Sequence, residues 1–482
     1  MNASHQPFEP GVQTWPRVAS LRRRLTEDPA GVRAVVVGAG VSGLSACRLL
    51  EARGADVRVV DDRPRYKFAP ELQASLERLK LGPIEAAALA DADLVVLSPG
   101  VPRRQPALEA SIREGRLVGE IEMASWFCSV PLIGITGTNG KSTTTGLVAH
   151  MLQCAGQKVF VGGNFGRPLS ELALGEPVDV AVVELSSYQL ESIVEAQFRV
   201  SCWLNLTPDH LDRYANVEEY AAAKRRIVER RSINGIAVLN ADDAIVSDAG
   251  RSLGEQVRWF STRRDLKRTD MPGTHMLDAV QAVRVDGDTE ESYRIDGAAL
   301  IGEHNRANAC AAIECVRYLG ASPAAIQRSL STFEGLPHRL QRVATVGRGT
   351  YYNDSKATNI EAAVTAVGAV PEPVYLIAGG VDKGSTWAPL VDAARGRVEV
   401  VYAIGEAAPL VQDAFTSVAP VEMSGTLDAA VEAAAERLRS SGQKASVLLA
   451  PACASFDQFA NYQVRGDSFC AAVRKLSAED IS

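Results

Sequence analysis

Short apolar runs alternate with longer amphipathic segments along almost the whole chain. The runs have the length and composition of buried strands, and they read RAVVVGAG, DVRVVD, ADLVVLSPG, PLIGITG, VDVAVVEL, CWLNLTPD and GIAVLN. The segments between them have the pattern of helices. Strands that alternate with helices form parallel sheets covered by those helices, so the pattern predicts the α/β fold class.

This alternation restarts twice, which predicts three domains. A new strand and glycine-rich loop begin at Leu132, and a further block begins after the segment FEGLPHRL. Residues 251–300 are more polar and irregular, and we expect them to form antiparallel strands and loops that decorate the middle domain. The predicted domains are residues 1–120, in which 1–32 form a polar extension, residues 121–336 and residues 337–482.

The composition argues against several classes of protein. Of the 482 residues, 46% are hydrophobic and 23% are charged, and the net charge of -7 argues against a nucleic-acid binder. No apolar run is long enough for a membrane span, and the N-terminus lacks the apolar core of a signal peptide. The eight cysteines have no C-x-x-C spacing, which predicts buried thiols in a reducing cytoplasm.

The first predicted strand leads into a glycine-rich fingerprint for nucleotide binding. Gly38, Gly40 and Gly43 allow a tight turn, approach of the backbone to a phosphate, and close packing of helix on sheet. Asp61 and Asp62 end the next strand, where a carboxylate can hold a ribose hydroxyl. The fingerprint fits either NAD or a UDP-linked ligand, because it reports a phosphate on a helix N-terminus and no particular reaction.

A second phosphate-binding loop, GITGTNGKSTTT, follows the strand PLIGITG and precedes a helical segment. Its backbone N–H groups and the helix N-terminus form an anion site, Lys141 adds a positive charge, and Ser142 can bind Mg²⁺. The upstream glycine is Gly134, one position away from the strict pattern. Glu184 ends the strand VDVAVVEL and is expected to face this loop. The loop therefore predicts a nucleoside triphosphate site.

An ordered set of further motifs resembles the Mur ligases over residues 33 to 475. In chain order the motifs are SPG, GTNGKST, GGNFG, ELSSYQL, TPDHLDRY, NADD, GEHNRANA, GLPHR, NDSKATN, AGGVDKG and LLAPACASFDQFANYQVRGD. The resemblance implies a Rossmann-like N-terminal domain for the UDP-linked substrate and a central P-loop ATPase-type domain with a parallel sheet. It implies a Rossmann-like C-terminal domain that binds glutamate and closes over ATP.

The resemblance also implies an activity and its partners. An ATP-dependent ligase would join D-glutamate to UDP-N-acetylmuramoyl-L-alanine through an acyl phosphate, in peptidoglycan precursor synthesis. The implied cofactors are ATP, two Mg²⁺ ions and a carbamate on Lys224. The protein is expected to be cytoplasmic and monomeric, without nucleic acid or a membrane span.

For ATP and the metals, the resemblance carries over to residues of the middle and C-terminal domains. The implied ATP-binding residues are Gly137, Thr138, Asn139, Gly140, Lys141, Ser142, Thr143, Asn305, Asn308, Arg339, Asp354 and Lys356. The implied metal ligands are Ser142, Glu184, His210 and carbamylated Lys224. Five residues are expected to act in catalysis: Lys141, Glu184, His210, Lys224 and Lys356.

The two other substrates draw on further residues. The implied UDP-substrate contacts are Val41, Ser42, Asp61, Asp62, Arg63, Gly100, Asn164, Ser186 and Gln189. The implied glutamate contacts are Thr358, Lys383, Ser455, Phe456 and Tyr462. Asp62 and Tyr462 depart from the residues common in the family, a small hydroxyl residue and a phenylalanine. Tyr188 is expected to pack. His304 and His338 are expected to lie in loops or behind the residues that contact the substrates.

Four other functions compete with this interpretation. A ligase that adds L-glutamate would carry similar pocket motifs, because these do not encode handedness. Folylpolyglutamate synthetase shares the ATP loop but lacks the N-terminal UDP-binding module. An NAD-dependent oxidoreductase would use the first fingerprint, and a UDP-sugar-binding regulator would not need the P-loop, Glu184 and Lys356.

Overall fold

The computed structural model describes residues 16–63, 81–210, 213–251, 253–296, 300 and 302–479. Strands and helices alternate along these residues. The chain forms two compact units, which are described separately. The first contains the described residues up to Tyr293 together with Asn308–Ser329, and the second contains Arg294–Ala307 together with the described residues from Leu330 onward.

The strands are β1 Arg33–Val37, β2 Asp56–Val60, β3 Leu94–Leu97, β4 Leu117–Gly119, β5 Leu132–Thr136, β6 Val159–Gly163, β7 Val180–Glu184, β8 Phe198–Trp203, β9 Arg231–Asn240, β10 Val257–Ser261, β11 Gly273–Met276, β12 Gln281–Asp286, β13 Thr289–Arg294, β14 Gln341–Val346, β15 Gly349–Asn353, β16 Val374–Gly379, β17 Val398–Ile404, β18 Val421–Gly425 and β19 Ala445–Leu449.

The α-helices are α1 Pro16–Glu27, α2 Val41–Ala52, α3 Ala86–Leu89, α4 Glu109–Arg113, α5 Glu120–Ser125, α6 Lys141–Cys154, α7 Leu169–Leu172, α8 Ser187–Leu190, α9 Val217–Glu229, α10 Ala244–Gly250, α11 Glu303–Tyr318, α12 Pro323–Thr332, α13 Ile360–Ala369, α14 Ala388–Ala394, α15 Ala408–Phe415, α16 Leu427–Ser441 and α17 Tyr462–Glu479. Within the described residues, short 3₁₀ turns cover Pro106–Leu108 and Gly254–Gln256.

A four-stranded parallel sheet in the order β2-β1-β3-β4 begins the first unit. Strand β1 lies between β2 and β3, and its last four residues are buried. Helices on both faces exclude water from such a strand, which explains its continuous apolar sequence. Together with the two sheets described next, it confirms the predicted α/β class.

A nine-stranded sheet in the order β13-β12-β11-β10-β9-β8-β5-β7-β6 forms the rest of the first unit. Strand β5 pairs in parallel with β7 and β8, so the loops after these three strands meet at one edge. The expectation for residues 251–300 is wrong in part. Strands β10 and β11 pair in parallel and extend the sheet, while β11 and β12 are antiparallel. Extension satisfies the backbone groups that β9 would otherwise leave unpaired.

The second unit contains a six-stranded sheet in the order β14-β15-β19-β16-β17-β18. Strands β15, β19 and β16 are adjacent and parallel. The register aligns Asn353, Leu449 and Ile377, near the carboxyl ends of the three strands. The loops that follow them therefore emerge side by side, where α/β proteins bind ligands.

The described residues also bear on the membrane and thiol predictions. None of the helices in the described part of the chain is both long and apolar enough to cross a membrane. All eight cysteines are free thiols, and Cys128 and Cys154 are partly exposed while the other six are buried. The prediction of buried thiols is thus confirmed for those six.

Candidate active site

The loop between β5 and α6 has the shape that a phosphate requires. Gly140 has a φ of +82°, and a Cβ atom there would lie 2.3 Å from the Asn308 amide oxygen. Glycine is therefore needed for both the backbone conformation and the available space. The helix begins directly afterwards at Lys141, with Ser142 and Thr143 in its first turn. Backbone N–H groups at this end can bind an anion.

A residue that the sequence motifs did not identify holds this loop in place. Asn205 follows β8, and its amide oxygen accepts a 2.9 Å hydrogen bond from the backbone N–H of Asn139. Its amide nitrogen donates to the Asn139 carbonyl oxygen at 3.1 Å. Nearby, the Thr138 hydroxyl lies 3.2 Å from the Tyr220 hydroxyl. Asn205 comes just after β8, and the pairing of β8 with β5 brings it to this loop.

Ser142, Glu184 and Asn164 form a connected polar group beside the loop. Glu184 is 2% exposed and lies opposite Ile135 of β5. The Ser142 hydroxyl donates to one oxygen of its carboxylate, and the Asn164 amide donates to the other at 2.8 Å. Because β7 neighbours β5, the structure brings together these predicted metal and substrate residues, which are far apart in sequence.

Lys224 is buried under the same loop, although it lies on a helix rich in charged residues. It is 1% exposed, and its Nζ donates to the Gly137 carbonyl oxygen at 2.8 Å and to the Thr136 hydroxyl at 3.4 Å. Lys141 Nζ donates to the same Gly137 carbonyl at 2.9 Å and to the Thr138 carbonyl at 2.7 Å. Burial, reinforced by the charge of Lys141, lowers the pKa of Lys224 well below its usual value.

His210 is held at the opening of this region by an aromatic residue. It has a φ of +56°, and its Nδ1 lies 2.9 Å from the Tyr188 hydroxyl. Its Nε2 lies 3.6 Å from an Asp209 carboxylate oxygen. The expectation that Tyr188 only packs is therefore incomplete, because its hydroxyl orients the imidazole. The sequence around Tyr188 gave no signal for this contact, because His210 lies 22 residues further along the chain.

Ser186 and Gln189 are engaged with each other at the start of α8. The Gln189 side-chain oxygen accepts from the Ser186 backbone N–H at 2.9 Å, and the Ser186 hydroxyl accepts from the Gln189 N–H at 3.2 Å. This reciprocal pattern is a capping box. It fixes both side chains directly after β7, near Glu184.

The glycine fingerprint of the first sheet is closely packed. Gly38 has a φ of +94°, and a Cβ atom on Gly43 would lie 1.8 Å from the Gly38 carbonyl oxygen. The same carbonyl accepts a 2.8 Å hydrogen bond from the Ser98 hydroxyl. Val41 at the start of α2 is 63% exposed, and Gly100 is also exposed. The loop is thus packed against α2 and Ser98 on one side, while Val41 and Gly100 remain exposed to solvent.

Asp61 connects this fingerprint to the next strand. Its carboxylate accepts from the Ala39 backbone N–H at 2.8 Å and from Arg63 Nη2 at 2.7 Å. Although burial acts to raise it, the hydrogen bonds from Arg63 and Ala39 hold the pKa of Asp61 below its usual value. Asp62 instead accepts from the Ile84 backbone N–H at 2.9 Å.

A cavity of about 430 Å³ lies between the Gly100 loop and helices α8 and α9. Three arginines and two glutamates line it, and Arg104 pairs with Glu219 while Arg213 pairs with Glu191. Tyr188, which holds His210, lines the opposite side. The cavity therefore lies between the loop after β3 and the residues around α8 and α9.

In the second unit, most of the predicted residues lie on the adjacent loops after β15, β16 and β19, whereas Arg339 precedes β14 and Tyr462 begins α17. Lys356 Nζ lies 4.1 Å from the centre of the Tyr462 ring, and Lys383 Nζ lies 3.5 Å from the Thr358 hydroxyl. Burial raises the pKa of Asp354 to about 7, against the opposing effects of a backbone hydrogen bond and the charge of Arg339.

The remaining predicted residues differ in exposure. Ser455 is 2% exposed, whereas the neighbouring Phe456 is 73% exposed. Asn305 and Asn308 are buried near the start of α11, and Asn308 packs against Gly140. His304 lies on the same helix and not in a loop.

Sequence models of two Mur ligase domains match the chain: the MurD-like N-terminal domain over residues 32–119 and the middle domain over residues 135–316. The chain is 44% identical to a UDP-N-acetylmuramoylalanine–D-glutamate ligase from Anaeromyxobacter dehalogenans, over 93% of this chain and 98% of that protein. This chain belongs to the Mur ligase family. This Mur ligase is also 42% identical to a UDP-N-acetylmuramoylalanine–D-glutamate ligase from Myxococcus xanthus, over 93% of this chain and 99% of that protein.

Solved structures of Mur ligases share the fold. MurC, a UDP-N-acetylmuramate–alanine ligase from Thermotoga maritima, has a TM-score of 0.56 and 18% identity over 92% of this Mur ligase and 99% of that chain. MurF from Acinetobacter baumannii has a TM-score of 0.57 and 16% identity over 83% and 88%. The fold of this chain, with its three sheets, is therefore that of the family.

Substitution of Asp61 should weaken binding of the UDP-linked ligand selectively. Loss of a charge-assisted hydrogen bond predicts that Asp61→Ala raises KM for that ligand about ten- to a hundredfold, with KM for ATP nearly unchanged. Asp91→Ala is a suitable control, because Asp91 is an exposed residue of the same region that pairs with Arg58. Steady-state kinetics measure both constants. A change in NADH binding would instead support the oxidoreductase alternative.

Proposed function

We infer that this Mur ligase adds D-glutamate to UDP-N-acetylmuramoyl-L-alanine at the expense of ATP, in peptidoglycan precursor synthesis. The observation that carries this inference is similarity over nearly the full length to two ligases named for that reaction. No relative named above is an oxidoreductase. The P-loop geometry and the buried Ser142–Glu184 pair agree with an ATP-dependent ligase.

The reaction requires activation of a carboxylate, because hydroxide is a poor leaving group. Transfer of the γ-phosphoryl group of ATP to the alanine carboxylate makes an acyl phosphate and releases ADP. The glutamate amine then attacks the acyl carbon, and phosphate leaves. Catalysis consists of neutralising phosphoryl charge and aligning three reactants. We assign the charge neutralisation to Lys141 and Lys356, and assign His210 to the transferring phosphate or a second metal ion.

The residues beside the P-loop fit a divalent cation. The Ser142 hydroxyl and the Glu184 carboxylate place hard oxygen atoms together at the start of α6. Among the described residues, no group of three or more His, Cys, Asp or Glu side chains could hold a metal by itself. Mg²⁺ accepts such a site, since it commonly keeps water and phosphate oxygens as ligands. When bound, it would neutralise charge on the phosphates.

We propose that Lys224 carries a carbamate that serves as a ligand of a second Mg²⁺. Carbamate formation joins the neutral amine to CO₂ and releases one proton. The buried position and the nearby Lys141 favour the neutral amine, which is the form that reacts. The carbamate would convert this cation into an anion with oxygen ligands.

The three sheet regions are proposed to divide the substrates among them. Residues 1–120 would bind the uridine diphosphate through Val41, Ser42, Gly100 and the Asp61–Arg63 group. Residues 121–336 would bind ATP at the P-loop, with Asn305 and Asn308 near the adenine, and the muramoyl-peptide arm at Asn164, Ser186 and Gln189. Residues 337–482 would bind ribose and phosphate through Arg339, Asp354 and Lys356. They would bind glutamate through Thr358, Lys383, Ser455, Phe456 and Tyr462.

In this assignment, the two carboxylates of glutamate would meet the Lys383 ammonium group and nearby hydroxyl groups. Lys383 and Thr358 lie together after β16 and β15, and Ser455 lies on the loop that follows β19. We further propose that the enzyme acts in the cytoplasm as a monomer. These assignments follow the family motifs and the adjacency of the loops.

Phosphate release from ATP tests the reaction directly. With UDP-N-acetylmuramoyl-L-alanine present, D-glutamate should stimulate release, whereas L-glutamate should give little. Omission of the UDP-linked substrate should abolish the stimulation. Equal or greater stimulation by L-glutamate would transfer the assignment to an L-glutamate ligase, and tight NADH binding without any effect of ATP would support an oxidoreductase.

A further inference from the structure

Arg465 of α17 is a buried cation that joins two loops of the second unit. Arg465 is only 1% exposed to solvent. Its Nε donates to the Ser355 hydroxyl at 3.0 Å, and Nη2 donates to the Ser355 carbonyl at 3.0 Å. Nη2 also donates to the Cys453 carbonyl at 3.1 Å, and Nη1 donates to the Ala454 carbonyl at 3.3 Å. The guanidinium thus bridges the segments after β15 and β19.

The hydrogen-bond acceptors of Arg465 are all uncharged oxygens, so burial of its positive charge is energetically unfavourable. A buried charge loses its hydration, and hydrogen bonds to neutral carbonyls recover only part of that free energy. Burial accordingly lowers the pKa of Arg465 to about 10. A methionine or leucine would fill a similar volume without this cost. What arginine adds at this position is its forked guanidinium group, which donates hydrogen bonds to several acceptors at once.

A third loop is tied to the same group of atoms. Ala454 and Val381 exchange backbone hydrogen bonds of 2.9 and 3.0 Å, and Val381 begins the segment that leads to Lys383. Gly380 precedes it with a φ of +133°, and a Cβ atom there would lie 2.2 Å from the Ala454 carbonyl oxygen. The loops after β15, β16 and β19 are thus in close contact around Arg465.

The bridged segments adjoin residues assigned to different substrates. Lys356, assigned to the phosphoryl group, directly follows Ser355. Ser455, assigned to glutamate, directly follows Ala454. The Ser355 hydroxyl also donates to the Tyr462 carbonyl at 2.8 Å, which places the aromatic partner of Lys356 in the same network.

We propose that Arg465 is a positioning residue that fixes the phosphoryl-binding loop and the glutamate-binding loop relative to each other. The proposal rests on the proposed function, because that function assigns the two loops to their substrates. Arg465 itself touches neither substrate in this role. It sets the distance between Lys356 and the glutamate pocket, on which attack by the amine depends.

Kinetics of Arg465→Lys and Arg465→Met test this role, with Arg474→Lys as the control. Arg474 is exposed on the same helix, so its replacement leaves the two loops unchanged. Lysine keeps the charge but has one nitrogen in place of three. A misplacement on the order of 1 Å can cost about a hundredfold. We therefore expect KM for D-glutamate to rise and kcat to fall, each about tenfold or more, with KM for the UDP-linked substrate within about twofold.

Hydrogen exchange provides a readout that does not depend on activity. In Arg465→Lys, amides of residues 353–358 and 453–456 should exchange faster together, while those of the first unit stay unchanged. A lower melting temperature with unchanged KM values and no paired change in exchange would show a purely structural role and overturn the proposal. If the wild-type protein released no phosphate with D-glutamate, the proposed function would fail, and the exchange result alone would decide whether Arg465 joins the loops.

Discussion

Lys224→Ala and Lys224→Arg should both be nearly inactive, with kcat reduced about a hundredfold or more. In the structure, Lys224 is 1% exposed and donates to the Gly137 carbonyl oxygen of the P-loop. If the amine carries a carbamate, alanine removes an oxygen ligand from a metal ion. Arginine retains positive charge where the metal requires negative charge, and its larger head must enter a buried space.

The control for these variants lies at the next position of the same helix. Arg225 is exposed and pairs with Asp248, so Arg225→Ala should keep near wild-type activity. Acetate at high concentration should restore part of the activity of Lys224→Ala by supplying carboxylate oxygens. Lys224→Glu should restore less, since its shorter side chain misplaces the oxygens. Near wild-type activity of Lys224→Arg would refute the carbamate.

The pH dependence of this modification has a definite sign. The folded pKa of Lys224 is lowered, so the neutral amine that accepts CO₂ is present above that pKa and is lost as pH falls through it. Enzyme depleted of CO₂ should therefore lose activity more readily at lower pH and recover when bicarbonate is added. A carbon-13 NMR signal from labelled CO₂ would detect the carbamate directly. This measurement is preferable to mass analysis, because acid treatment before mass analysis removes the carbamate.

Lys141→Ala should abolish ATP turnover and leave the affinity for the UDP-linked substrate within a few-fold of wild type. Lys141 begins α6, and its Nζ donates to the Gly137 and Thr138 carbonyl oxygens of the phosphate-binding loop. A bound triphosphate would offer a stronger, charged acceptor to the same amine. The fingerprint assigned to the uridine diphosphate lies on a different sheet.

Titration calorimetry and phosphate release separate the two effects of this substitution. Lys158→Ala is the matched control, because Lys158 is an exposed lysine between α6 and β6. It should leave both measurements unchanged. A large loss of affinity for the UDP-linked substrate in Lys141→Ala would contradict the assignment of the two ligands to separate sheets.

Several features of this protein follow from local sequence alone. Alternating strands and helices predict the α/β class, and glycines placed between a strand and a helix predict both phosphate loops. These signals are local, because a strand, its turn and the next helix are adjacent along the chain. The structure accordingly shows the positive φ angles at Gly38 and Gly140, where side chains would not fit.

The contacts within the candidate site depend instead on strand order and helix packing. Ser142 meets Glu184 because β7 pairs with β5, and Asn205 reaches the loop from β8 on the other side. Local pattern does not distinguish buried Lys224 from exposed Arg225, and the motif that contains Arg465 gave no indication of its contacts. Each of these groups is defined by contacts between segments far apart in the chain. Such contacts depend on which strands become neighbours and which helix face turns inward, so only the tertiary structure determines them.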